Sequence, residues 1–190
     1  MNLRILTKAV LVAALALILS NSGWSQSKVT AKKTAASARK PVAVMAKVTQ
    51  IDIEGLKKLV KPNGKPLIIN FWATWCDPCR EEFPDLVKID AAYKGKVDLI
   101  TISLDDLAEI NRDVPKFLAN MKAQMPAYLL KTADEDAAMK VVTQDWAGNL
   151  PMTIIFSPNG DTAYLRKGKL HFNDVTAEID KVLGIQKTAP

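Results

Sequence analysis

The chain of 190 residues holds two cysteines, Cys76 and Cys79, with Asp77 and Pro78 between them. Thiols at this spacing can close and reopen a disulfide. Bridging so short a segment closes almost no loop, so the bond would stabilise little as a staple. Zinc is the competing chemistry, and a structural zinc site takes four Cys or His ligands. The sequence offers one further ligand of that kind, His171, 92 residues beyond Cys79, and no second ligand pair. Met121, Met125 and Met139 have no spacing that suggests copper and fit packing roles. No metal and no separate cofactor is expected. The pair itself, as disulfide or dithiol, is the reactive group.

A thiol becomes a nucleophile when something stabilises its thiolate, and the surrounding pattern supplies that. Leu67–Trp72 is an apolar run bounded by Pro66 and predicts a buried central strand. A helical pattern follows from about Pro78 to Tyr93, which places Cys76 at a helix N-terminus, where unpaired amides and the positive dipole end favour the anion. Pro78 suits the first turn, and Pro84 predicts a kink. Cys79 lies one turn on. Glu82, three residues beyond Cys79, shares its helix face, would disfavour a thiolate and could accept protons. Its neighbour Glu81 reads as a solvated side chain. Asp77 opposes thiolate formation at Cys76 and so favours a reducing couple. Trp75 would shield one side of the disulfide and offer an apolar docking surface, whereas Trp72 belongs in the core.

The remaining pattern supplies the scaffold. Asp52–Val60, residues 109–122 with a break at Pro115, Asp134–Val142 with Asp134 as N-cap, and Asn173–Leu183 read as helices. Val97–Ser103 and Ala127–Leu130 read as strands. Met152–Phe156 and Thr162–Arg166 form a hairpin turning at Asn159-Gly160. His171 heads the last helix in a surface or capping role. The order is that of a mixed α/β sandwich, with no internal repeat.

Charge excludes a nucleic-acid partner. The formal net charge is +6, but residues 1–50 hold eight Lys and Arg and no acid, leaving 18 basic against 20 acidic residues in the remainder. Arg4 and Lys8 precede an apolar stretch, Ala9–Leu19, that rises only ~17 Å as a helix against a hydrocarbon core of ~30 Å. Gly23 and Ser25 suit signal-peptidase cleavage before Gln26. The expected division is a signal peptide over 1–25, a flexible basic linker over 26–47, with order beginning near Val42 or Val48, and a folded domain over 48–186. An uncleaved membrane anchor is the alternative for the leader. Export to the periplasm or another extracytoplasmic space follows.

Phe71-Trp-Ala-Thr-Trp-Cys-Asp-Pro-Cys79 resembles the active-site signature of the thioredoxin superfamily, and Arg80-Glu-Glu-Phe-Pro84 is similar to its exported TlpA/ResA-like branch. The resemblance covers about residues 48–185. It implies a three-layer sandwich, with a mixed central sheet, helices on both faces and a C-terminal β-hairpin plus helix. It also implies that Cys76 is the exposed attacking thiol and Cys79 the buried resolving one. Leu150-Pro151-Met152-Thr153 matches the family's cis-proline loop, which faces the cysteines and binds client backbone; Met152 departs from the common Thr. Asn70 stands where thioredoxins carry a buried Asp and cannot titrate, which shifts proton handling to Glu82. Trp146 could line the client groove or pack beneath it. The activity implied is reduction of disulfides in envelope proteins, cytochrome c maturation among the possible pathways. A membrane thiol transporter is the expected electron donor, and a monomer is expected. A disulfide oxidase or isomerase is the alternative within the class. A copper metallochaperone would call for Cys-x-x-x-Cys, and a peroxidase for Pro-x-x-x-Thr/Ser-x-x-Cys; neither motif is present.

Overall fold

The structure is a computed structural model and describes residues 46–185. The leader, nearly all of the basic linker, and the end of the domain at 186 lie outside the described residues. Six strands form one sheet: β1 (Val48–Ile51), β2 (Leu67–Trp72), β3 (Asp98–Ser103), β4 (Ala127–Leu130), β5 (Met152–Phe156) and β6 (Thr162–Lys167), in the order β1-β4-β3-β2-β5-β6. The pairings among β1, β4, β3 and β2 are parallel; β5 and β6 run antiparallel. The mixed sheet implied by the resemblance is therefore present.

The helices are α1 (Ile53–Leu59), α2 (Asp77–Ala92), α3 (Asp113–Asn120), α4 (Glu135–Val142) and α5 (Phe172–Val182), with a short 3-10 turn at Leu107–Glu109. They lie on both faces because β2 is buried on both sides, and alternate residues point to opposite faces. Ile68 and Trp72 pack with Phe83, Leu86 and Ile89 of α2, Val114 and Leu118 of α3, and Val175 and Ile179 of α5. Leu67, Ile69 and Phe71 pack with Leu56 of α1 and with Ala138, Met139 and Val142 of α4. That alternation also assigns Asn70 to the α2 face. Trp72 meets the rings of Phe83 and Phe117 at centroid distances of 4.9 and 4.8 Å, so it is core, as expected.

The differences from the sequence reading are local. β1 was not expected: four residues with a half-exposed pattern gain strand geometry by pairing with β4, not from any apolar run. The helical stretch around 109–122 does not restart at Pro115. It breaks earlier, and Pro115 sits in the first turn of α3, where the missing N–H breaks no intrahelical bond. Pro84 removes one amide from the ladder of α2, yet the helix runs on to Ala92. Asp134 caps α4 as expected, accepting from Ala137 N at 2.8 Å. The hairpin loop is longer than a two-residue turn. Ser157 N donates to Asp161 O at 2.8 Å, and Gly160, at φ 94°, takes the left-handed position inside it.

Candidate active site

Strand β2 ends at Trp72, and a tight turn of Ala73, Thr74 and Trp75 delivers Cys76 to the start of α2. Cys76 is the N-cap, in extended backbone conformation, and its Sγ accepts from Cys79 N at 3.3 Å. A free amide of the first turn, that of Cys79, thus faces the sulfur that would carry negative charge. Cys76 and Cys79 form a disulfide with S–S 2.00 Å. Cys79 is fully buried, as the resemblance implies. Cys76 keeps only 6% of its surface, so the expectation of an exposed attacking thiol is corrected: it too is buried, though less completely than Cys79, because the turn and α2 close around it. Trp75 is the prominent exposed group at 67%. With Thr74, Arg80, Lys116 and Phe117 it lines a shallow open cleft beside the cysteines.

Asp77 points away from the site. Its side chain is 85% exposed and lies 3.6 Å from an Arg80 guanidinium nitrogen. Solvent and the ion pair screen its charge, which weakens the influence on Cys76 expected from its position. Pro78 occupies the first turn, as expected.

Glu82 is a carboxyl that the fold draws inside, one turn beyond Cys79 on α2. It is fully buried. Its Oε1 accepts from Asn70 Nδ2 at 2.8 Å and its Oε2 from Leu170 N at 2.7 Å. Burial pushes its pKa up from 4.5 to about 7 against the opposing pull of those two donors and of Lys169. Glu81 is on the surface in an ion pair with Lys169 at 2.7 Å.

The Leu150–Pro151 peptide is cis, as the resemblance implies. The β2–β5 register pairs Phe71 with Met152, which brings Pro151 to the end of β2 from which the cysteine turn departs. Gly168 N donates to Pro151 O at 2.8 Å. Trp146 is buried against Phe71, ring centroids 4.5 Å apart, and its Nε1 donates to Asn149 O at 2.9 Å. Of the two roles open to Trp146, the structure has it packing beneath the loop. His171 is exposed and gives α5 its backbone cap without a side-chain bond.

Two parts of the site were not read from sequence. Asn70, noted only as a residue that cannot titrate, holds Glu82 and also donates to Thr153 Oγ1 at 3.0 Å. Asp105, just past β3, is 3% exposed. Its carboxylate accepts from Thr74 N at 2.9 Å, Thr74 Oγ1 at 2.5 Å and Ser103 Oγ at 2.6 Å, pinning the turn that carries Cys76. An Asp following an apolar strand reads as a solvated strand end, so no local signal marks it. Among the described residues no group of three or more His, Cys, Asp or Glu side chains is placed to hold a metal ion.

A mixed α/β sandwich with a Cys-x-x-Cys disulfide at a helix N-terminus and a cis-proline beside it defines a thioredoxin-like protein. The chain belongs to the AhpC/TSA family, whose pattern matches residues 43–165. It is similar to the thiol-disulfide oxidoreductase ResA of Oceanobacillus iheyensis, with 32% identity over 108 residues, covering 56% of this chain and 52% of the relative. The chain therefore spans about half the length of that protein. Among solved structures, a thioredoxin-related protein from Neisseria meningitidis serogroup B is 29% identical with TM-score 0.54, covering 64% of this chain and 87% of its own. A thioredoxin-family thiol:disulfide interchange protein from Chlorobium tepidum TLS shares the fold at TM-score 0.55 and 22% identity, over 72% of this chain and 91% of its own.

Proposed function

We propose that this protein is a thiol–disulfide oxidoreductase that reduces disulfides in client proteins through Cys76 and Cys79. The observation that carries the reading is Cys76 Sγ at the N-cap of α2, accepting from Cys79 N. In the reduced protein the Cys76 thiolate attacks one sulfur of a client disulfide. The Cys76–client bond forms, the client S–S bond breaks, and the departing client thiolate takes a proton from solvent. Cys79 then loses its proton, for which the Glu82 carboxylate one turn away is the acceptor, and attacks Cys76 Sγ. The second client thiolate leaves, and two electrons have passed from the dithiol to the client. A dithiol donor must restore the reduced state; a membrane thiol transporter is the class we assign.

Trp75 and the cis-Pro151 loop are the client-facing surfaces in this reading: one is an exposed apolar platform, the other opens a strand beside the cysteines. The leader over 1–25, the linker over 26–47 and a domain over 48–186 make the protein an exported one, acting on envelope proteins, cytochrome c maturation included.

Trapping tests the mechanism. In Cys79→Ala, Cys76 attacks but nothing resolves the adduct, so mixed disulfides with clients accumulate and are identified by mass spectrometry. Cys76→Ser gives none. Absence of adducts from Cys79→Ala, with its thiol still reactive, refutes the reading. A glutathione titration checks the direction: a couple nearer ~−270 mV than ~−120 mV marks a reductant, and one above about −180 mV marks an oxidase or isomerase.

A further inference from the structure

The parallel strands β1 to β4 are each followed by a helix or 3-10 turn, and the N-termini of those elements collect acids. Asp52, Asp77, Asp106, Asp113 and Asp134 cap or open them. The Cys76 turn lies at that end of the sheet. At the other end, where the four strands begin, the charge reverses. Lys58, Lys61 and Lys94 line one cleft there with Leu67, Val97 and Asp98. Lys65 stands two residues before β2, Lys96 two residues before β3, and Lys47 immediately before β1. All six lysines are exposed. The acids at this end are Asp90, paired with Lys94 at 3.2 Å, Asp98, and Asp161 on the hairpin loop, which accepts from Asn159. Lys47, Lys58, Lys61, Lys65 and Lys96 have no ion-pair partner among the described residues.

Helix capping does not account for this face. Of the six, Lys58 alone lies in the last turn of a helix, and the last turn of α2 holds no basic residue. The others sit in connecting segments. The type of cation also points to a partner. Arginine is absent from this end, although Arg80, Arg112 and Arg166 serve elsewhere. A lysine is a hydrated point charge on a flexible stem, without the planar fork that fits one carboxylate or phosphate. Lysines spread over a face suit a diffuse layer of negative charge. No exposed aromatic side chain accompanies them among the described residues, since Trp75 is at the far end, so there is no platform on which nucleic-acid bases could stack. The chain enters the domain at this same end, through Ala46 and Lys47. The sequence leading into it, residues 26–45, carries Lys28, Lys32, Lys33, Arg39 and Lys40 and no acid, so the positive charge continues along the chain.

We propose that the sheet end carrying Lys47, Lys58, Lys61, Lys65, Lys94 and Lys96 is a docking face for an anionic lipid surface, which holds the cysteine turn away from the bilayer. Lysines within a Debye length of anionic headgroups add their attractions. The six residues of β2, about 20 Å of extended chain, separate this face from Cys76. The proposal does not draw on the thiol chemistry.

The test compares the full chain with a variant carrying Lys58→Glu, Lys61→Glu, Lys65→Glu and Lys96→Glu, its fold checked by near-UV circular dichroism. Both are sedimented with vesicles of phosphatidylcholine, with and without about one third phosphatidylglycerol. The wild type should bind the anionic vesicles, and less so when salt is raised from about 0.1 to about 0.5 M. The variant should bind them at least about tenfold more weakly. Equal binding of the two proteins means that the leader and linker act alone, and overturns the proposal. A loss of the same size on phosphatidylcholine alone overturns it too, because the attraction is then not one of charge. Hydrogen exchange on the vesicle-bound wild type gives a second readout. Amides of residues 58–65 and 94–98 should slow on lipid while those of 74–80 keep their rates; slowing at 74–80 in their place puts the wrong end on the bilayer. Retention of the wild type by duplex DNA but not by anionic vesicles refutes the lipid assignment. The Cys79→Ala trap stands apart from all these outcomes.

Discussion

Replacing Glu82 with Gln should stabilise the oxidised protein at pH 8 and change little at pH 5. Glu82 is fully buried, and burial raises its pKa from 4.5 to about 7. The folded protein therefore holds this proton at pH values where the unfolded chain has released it. Stability is greatest below 4.5, falls as pH rises between the two values, and the loss is complete above about 7. At about 1.4 kcal/mol per pH unit, ionising Glu82 costs about 3 kcal/mol in full, of which about 2–3 kcal/mol is incurred between pH 5 and 8. Glu82→Gln has no proton to lose. Its side chain has nearly the same volume, and its carbonyl can accept from Leu170 N as the carboxylate does. Urea unfolding of both oxidised proteins at pH 5, 6, 7 and 8 gives two stability curves, and the gap between them should open toward high pH by that amount. Other titrating groups contribute equally to both and cancel. Curves that run parallel across the range would refute the argument, since a carboxyl with an ordinary pKa is already ionised in both states at pH 6.

Three further outcomes are expected. Asp105→Ala leaves Thr74 N, Thr74 Oγ1 and Ser103 Oγ without their acceptor and should destabilise by about 2–4 kcal/mol. Client reduction should slow as the Cys76 turn loosens, and Asp105→Asn should recover part of both effects; an unchanged rate in folded Asp105→Ala would show that the clamp does not position the cysteine. Asp77→Asn should move the reduction potential by less than about 10 mV, because an exposed, Arg80-paired charge is worth at most a few tenths of a kcal/mol; a glutathione titration showing a shift of several tens of millivolts would contradict the screening. Trp75→Ala should leave urea unfolding unchanged and raise KM for protein clients while sparing small disulfides. Equal loss on both would place Trp75 in the chemistry instead of in docking.

The reactive pair was legible in the sequence because its signal is local. An apolar strand, a short turn, two cysteines one helical turn apart and a proline in the first turn dictate each other's geometry within a dozen residues. The same holds for the hairpin, for the Asp134 cap, and for the placing of Glu82 on the Cys79 side of α2, since helix and strand periodicities are properties of consecutive residues. What the sequence could not state is how far each group is removed from water and what it meets there. Cys76 is more enclosed than its position suggests, and Asp77 is turned out to Arg80. Those differences arise from packing, not from spacing. The network of Glu82 joins residues from four separate stretches: Asn70, Thr153, Leu170 and α2 itself. Asp105 reaches the cysteine turn from the neighbouring strand. Both depend on strand order β3-β2-β5, which decides that Thr101, Asn70 and Thr153 stand in one row beneath Glu82. The sequence thus determined where the cysteine pair sits, at the start of a helix after a buried strand, and the tertiary structure alone decided what surrounds the carboxyl beside it, because a buried carboxyl takes its character from partners the chain brings in from a distance.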